Sequence, residues 1–375
     1  MLNKILYGEI YTFSKNIVSF LRAACLRASI LLVSGCSTTG TPLFHFNTDL
    51  VLNDDPVGIV WPALPEVPRY RYIGQLTGEN NFITEYENKS TFNNVLRWLV
   101  GLDSQPESPN VLQRPQGIMV DDRNRIFVTD ISRQAVFVFD TQNNELRVWQ
   151  QAKPGTNFIA PIGIVQGNNN EILIADAELG RVFRQTDTGQ YLGEFGQDIL
   201  QRPTGIARDP VGRLIYVADT ADHDIKIFDE QGLLIDTIGR RGTNPGEFNA
   251  PTYLAFVHDK LYVSDTLNSR IQVFDASGML LTHFGKLGLY VGNFNRPKGI
   301  TADDEGNIYI VESYRDHLLI YNSQGQFLLP IGGTGKNVGE FFLPAGISID
   351  QHNRIYVADM FNGRIAVFQY LGARE

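Results

Sequence analysis

The sequence predicts an all-β chain closed into a six-bladed β-propeller, and three observations predict it. One pattern recurs six times, each copy holds four short β-rich segments, and those segments are nearly continuous apolar runs. A repeat of about 45 residues marks a propeller or a solenoid, and four strands per unit select the propeller. Runs such as IFVTD, LIYVAD and RIYVAD lack the polar alternation of a half-exposed sheet. They suit blades covered by a neighbour on both faces.

The stretch from Arg296 to Phe341 shows the unit most clearly. Pro297 and Gly299 open it, two segments, Ile300 to Ala302 and Asn307 to Val311, flank the turn signal Asp303-Asp304-Glu305-Gly306, and Leu318 to Tyr321 and Gln326 to Ile331 follow. The apolar runs are strands and the Asp/Gly cluster is a hairpin turn. The opening prolines are Pro115, Pro161, Pro203, Pro251, Pro297 and Pro344, and an acid closes each second strand: Asp130, Asp176, Asp219, Asp265, Glu312 and Asp359. Each acid follows its proline by 14 to 16 residues, whereas the prolines are spaced by 42 to 48. Length variation therefore falls in the connectors between units.

The last unit ends soon after its third strand, Arg364 to Phe368, while Arg69 to Gly78 resembles the fourth strands of other units. The N-terminal strand is thus expected to complete the last blade, leaving no open sheet edge there. This divides the chain into residues 1–35, 36–68 and a propeller over 69–375. An insertion over about 83–113 contains Phe92, Val95, Leu96 and Leu99 at helical spacing, with Ser90 or Thr91 as cap and Gly101 as stop. It predicts one short amphipathic helix.

The net charge is −9, which disfavours nucleic acid as a partner because phosphate recognition draws on clustered cations. Near the N-terminus Lys4, Lys15, Arg22 and Arg27 precede an apolar run from Ala28 to Val33 and then Ser34-Gly35-Cys36. That run is too short to span a membrane. The segment resembles a bacterial lipoprotein signal, which implies cleavage before Cys36, lipidation of its thiol and, with Ser37 following, sorting to the outer membrane, facing the periplasm or the cell surface. Residues 36–68 then read as a proline-rich tether. Both cysteines, Cys25 and Cys36, lie in the leader region, so no disulfide is expected in the propeller.

The repeat itself resembles the NHL repeat. RPQGIMVD, RPTGIARD, RPKGITAD and LPAGISID carry its first part, and LYVSDTLNSRIQVFD and IYVADMFNGRIAVF carry the rest, over residues 69–375. The resemblance implies a six-bladed ring and, in some relatives, metal chemistry in the channel. Six acids around one axis could hold calcium, but the same residue recurring in a repeat more simply serves the same backbone contact in each blade. Only His223 and His317 share one face, without the third histidine of a zinc-lyase set, and the first strands lack the asparagine of calcium-dependent hydrolases. The expectation is therefore a non-enzymatic, monomeric scaffold without cofactor, with a metal-dependent hydrolase or lyase as the alternative.

Positions that depart from the repeat are free to serve a ligand. Arg133, His223, Arg315 and His317 depart from the Asn-x-Arg of the loop site, and Gln116 and Lys298 stand between the proline and glycine that begin a unit. They are the candidate residues for a protein or peptide partner, with Arg133 and Arg315 as anchors.

Overall fold

A computed structural model describes residues 43–46, 58–83 and 110–372. Five blades are four-stranded antiparallel meanders in sequence order. Blade one comprises Pro115–Val120, Ile126–Asp130, Ala135–Asp140 and Glu145–Trp149, and blades two to four begin at Pro161, Pro203 and Pro251. Blade five comprises Pro297–Ala302, Ile308–Glu312, His317–Tyr321 and Phe327–Gly332. In blade six the innermost strand is short, Ile347–Ile349, followed by Arg354–Asp359 and Arg364–Tyr370. Pro344 lies before that strand rather than in it.

Tyr70–Leu76 completes blade six, pairing antiparallel with Arg364–Tyr370 from Leu76 opposite Ile365 to Tyr70 opposite Tyr370. The ring closes as the repeat predicts. Tyr70, Tyr72 and Leu76 are buried, so this N-terminal strand contributes core side chains as well as hydrogen bonds.

Closure is also visible in the packing. One apolar cluster lies between each pair of adjacent blades, and the cluster between six and one joins Ile365 and Val367 to Phe137 and Phe139. Because both faces of a blade are covered, its middle strands are apolar at successive positions, as in the fully buried IFVTD of Ile126–Asp130.

The glycine after each opening proline has a steric cause. A β-carbon on Gly346 would meet the carbonyl oxygen of Gln116 in the next blade at 2.0 Å, and one on Gly117 would meet that of Ile162 at 2.1 Å. Innermost strands thus approach backbone to backbone around the axis. Blade four departs, carrying Tyr253 at this position.

The segment expected to be a free tether is partly docked. Val60–Trp61 pairs with Tyr70–Arg71 as a fifth strand on blade six, and the Trp61 ring lies 5.5 Å from that of Phe368. Leu43–Phe44 pairs with Phe82–Ile83, and the Phe44 amide donates to Asn144 Oδ1 of blade one at 2.7 Å. The described part of 36–68 is therefore a strap along the propeller wall, because Trp61 and Phe44 gain more by burial than proline stiffness gains by extension. The expected helix falls within residues 84–109 and Cys36 within 1–42, both outside the described residues. The ends of that insertion meet, with the Glu79 amide donating to the Asn110 carbonyl at 3.0 Å.

Candidate binding face

Among the described residues, the connectors between blades and the loops between second and third strands emerge on one face of the ring. The acids that close the second strands lie just beneath it, and all six are buried. Asp130 accepts backbone hydrogen bonds from Gln113 and Arg114 before the blade and from Ser132 and Arg133 after the strand, at 2.6 to 3.0 Å. Asp176 does the same with Ile159, Ala160, Glu178 and Leu179, and Glu312 with Asn295, Arg296 and Arg315. Asp219 accepts from Gln201 and Arg202. Each of these four acids anchors the connector before its blade, and all but Asp219 also hold the loop that follows the strand.

Blades four and six show what Asn-x-Arg adds. Arg270 Nε donates to Asp265 and Arg364 Nε to Asp359, each at 2.8 Å, while Asn268 and Asn362 donate to the same acids. The guanidinium groups then reach connector carbonyls, Arg270 those of Thr243, Asn244 and Glu247, and Arg364 those of Asn337 and Glu340. Burial pushes the carboxyls of Asp265 and Asp359 above their ordinary range, opposed by these hydrogen bonds and by the arginine charge. Among the described residues no three His, Cys, Asp or Glu side chains converge in a metal-binding arrangement.

The channel mouth is closed by two residues. The Tyr253 hydroxyl donates to Gln116 Oε1 at 3.3 Å, from blade four to blade one directly across the axis. Gln116 Nε2 lies 2.7 Å from Met360 Sδ, which fixes the amide. Beneath this bar the cavity holds about 40 Å³, lined by Gly117, Gly163, Gly205 and Tyr253 among others. A small-molecule site needs about 300 Å³ or more. Lys298, half-buried at the same mouth, has its ammonium pushed down by desolvation and then by Arg296.

The off-pattern residues turn out to hold loops. Arg133 Nε donates to the Val111 carbonyl at 2.8 Å, and His223 Nδ1 accepts from the Ala250 amide at 3.0 Å. Arg315 donates through Nη1 to the Leu289 carbonyl, and His317 Nδ1 contacts the Arg315 carbonyl at 2.5 Å. Each therefore has a local fastening role in its loop.

What this face does present is apolar. The connector from blade four to blade five exposes Leu287 at 70% and Leu289 and Tyr290 at 81% each, beside Val291 and Tyr314. Leu267, Phe342 and Phe361 on flanking loops of the same face are exposed too, with the Arg114 guanidinium 5.1 Å from the Phe361 ring centroid. The equivalent connectors read GTNPGEF over 242–248 and GKNVGEF over 335–341, where this one has GLYVGNF over 288–294. The contrast is written in the sequence as Leu289-Tyr290 against Thr243-Asn244 and Lys336-Asn337.

Residues 293–373 match a family described as a 6-bladed beta-propeller. The protein brain tumor of Drosophila melanogaster is 26% identical over 128 residues, 33% of this chain, and the chain spans only 12% of that protein's length. This fits a distant NHL-like repeat. The virginiamycin B lyase of Staphylococcus aureus superposes with a TM-score of 0.51 at 18% identity, covering 69% of this chain and 96% of that one. An auxiliary nutrient binding protein of Bacteroides ovatus superposes with 0.54 at 13%, covering 68% and 69%. The chain is a six-bladed β-propeller. An enzyme and a binding protein share that fold, so the fold does not choose between the functions.

Proposed function

We propose that this protein is a non-enzymatic scaffold of the bacterial cell envelope, lipid-anchored at Cys36 in the outer membrane, that captures a protein or peptide partner on its loop-bearing face. The observation that carries this reading is the exposed apolar sector from Leu287 to Val291, on a face where Arg133 and Arg315 are engaged in holding loops. Exposed apolar residues gathered in one sector mark interaction surfaces, and aromatic side chains dominate binding energy there. Arg133 and Arg315 then act by positioning loops, while Leu289 and Tyr290 make the contact.

The alternative of a metal-dependent hydrolase or lyase in the channel is disfavoured by the bar between Tyr253 and Gln116, which leaves about 40 Å³ beneath it. The ring acids of Asp130, Asp176, Asp219 and Glu312 would also have to surrender backbone hydrogen bonds to ligate calcium. A net charge of −9 supports a partner other than nucleic acid.

The test is site-specific photo-crosslinking in intact envelopes, with the crosslinker at Tyr290 and, as the opposite-face control, at Glu305. A discrete adduct from position 290 that disappears in Leu289→Asp is expected. Adducts from position 305 alone would place binding on the other face and overturn the proposal.

A further inference from the structure

A second cavity lies at the side of the propeller, far from the loop face. It holds about 390 Å³ between the segment entering the closing strand and the outer part of blade five, and its lining includes Arg69, Tyr70, Asn307, Ile320, Leu329 and Tyr370. That volume is in the range of small-molecule sites.

The walls are preformed. The rings of Tyr70 and Tyr370 lie 5.3 Å apart, and their hydroxyls are hydrogen-bonded, Tyr70 to the buried Tyr309 at 3.3 Å and Tyr370 to Glu305 at 2.6 Å. Asn307 Nδ2 donates to Asp303 at 2.7 Å, and the Tyr309 hydroxyl donates to the same carboxylate at 2.7 Å. Aromatic and aliphatic surface therefore faces the cavity in fixed positions, at no ordering cost when a ligand enters.

Arg69 supplies the charge. It is partly buried, its backbone is fixed by hydrogen bonds to Trp61 and Leu371, and its guanidinium has no hydrogen-bond or ion-pair partner among the described residues. Glu66 also lines the cavity but is exposed and makes no salt bridge to Arg69. By contrast, Arg125, Arg184, Arg208, Arg270 and Arg364 are all paired with acids. A planar, partly desolvated guanidinium beside an apolar chamber recognises a carboxylate bidentately.

We propose that this side pocket binds a small amphipathic carboxylate, an aryl- or alkyl-carboxylate, with its acid on Arg69 and its apolar part against Tyr70, Tyr370, Ile320 and Leu329. The site is independent of the partner-binding reading, since it shares no residue with the loop face.

The probe pair is 3-phenylpropionate and the neutral 3-phenylpropan-1-ol, titrated into the full chain by saturation-transfer NMR. The acid is expected to bind about tenfold more tightly than the alcohol, the worth of one charge-assisted pair. Arg69→Gln should bring the acid down to the level of the alcohol. Lys298→Gln, at the other half-buried cation without a partner among the described residues, should change nothing. Leu328→Trp, at a half-exposed position on the rim, should abolish both signals while leaving the melting temperature within about 2 °C, as a surface substitution does. Equal binding of acid and alcohol, loss through Lys298→Gln, or persistence in Leu328→Trp would each overturn the proposal.

Discussion

Replacing Arg364 by methionine tests how the ring is fastened at its closure. The guanidinium of Arg364 meets Asp359 at 2.8 Å, Gln75 of the N-terminal strand at 3.1 Å, and the carbonyls of Asn337 and Glu340 at 3.1 and 2.9 Å. Methionine retains the aliphatic stem and removes all four contacts. Asp359 is fully buried, so its carboxylate would keep only the Phe342 amide and Asn362 as partners. Breaking a buried ion pair by removing one member costs about 3–5 kcal/mol, which for a domain this large is a fall in Tm of about 6–10 °C.

The cost has a sign in pH. Burial already lifts Asp359 above its ordinary value against the opposition of Arg364, and the substitution removes that opposition. Between the unfolded pKa and the raised folded one such an acid is neutral when folded and ionised when unfolded, and above the folded value both states are ionised, so its penalty is complete at high pH. It declines as pH falls through the folded value toward about 4, the ordinary carboxylate range. Scanning calorimetry at pH 7.5 and pH 5.0 should therefore show a smaller deficit at the lower pH, and the double variant Asp359→Asn/Arg364→Met should recover part of the loss at pH 7.5. A deficit that is equal at both pH values, together with a double variant no more stable than the single one, would refute the argument.

Three further outcomes are expected. Deleting residues 69–78 removes three buried apolar side chains, Tyr70, Tyr72 and Leu76, at about 2 kcal/mol each, and exposes an unpaired edge, so a drop in Tm beyond about 10 °C is expected and a parent-like melt refutes the closure. Cys36→Ser should move the protein from the membrane to the soluble fraction on cell fractionation, and retention would count against acylation. Leu287→Asp with Leu289→Asp should leave Tm within about 2 °C, because the two side chains are 70% and 81% exposed, while abolishing the crosslink from position 290; a large fall in Tm would mean that the loop is part of the core.

The fold was legible because its causes repeat. The Pro-x-Gly of five units reflects close approach of adjacent inner strands, as at Gly117 against Ile162, and the second-strand acid recurs in all six because it anchors the connector before its blade. A cause that acts six times leaves a periodic trace, and the missing fourth strand of the last unit showed where Tyr70–Leu76 must lie. The docking of Trp61 on the side of the propeller left a weaker trace, a tryptophan in the tether. It depends on an aromatic contact with Phe368, 307 residues later in sequence, and a lone tryptophan among prolines reads equally well as part of a spacer.

The binding face was harder for a different reason. Departures from a repeat mark either a ligand contact or a local repair, and sequence alone does not separate them. At Arg133, His223 and Arg315 the repair is visible, since each bonds a backbone group of a neighbouring loop. Tyr253 is the departure that matters for the channel, because a side chain where other blades have glycine cannot fit between the inner strands and instead reaches across the axis to Gln116. The same reasoning favours Leu289 and Tyr290. Nothing in the fold requires apolar groups where sister connectors have threonine, asparagine and lysine, so their exposure is a cost to solubility with no structural return. A partner that covers them supplies the return.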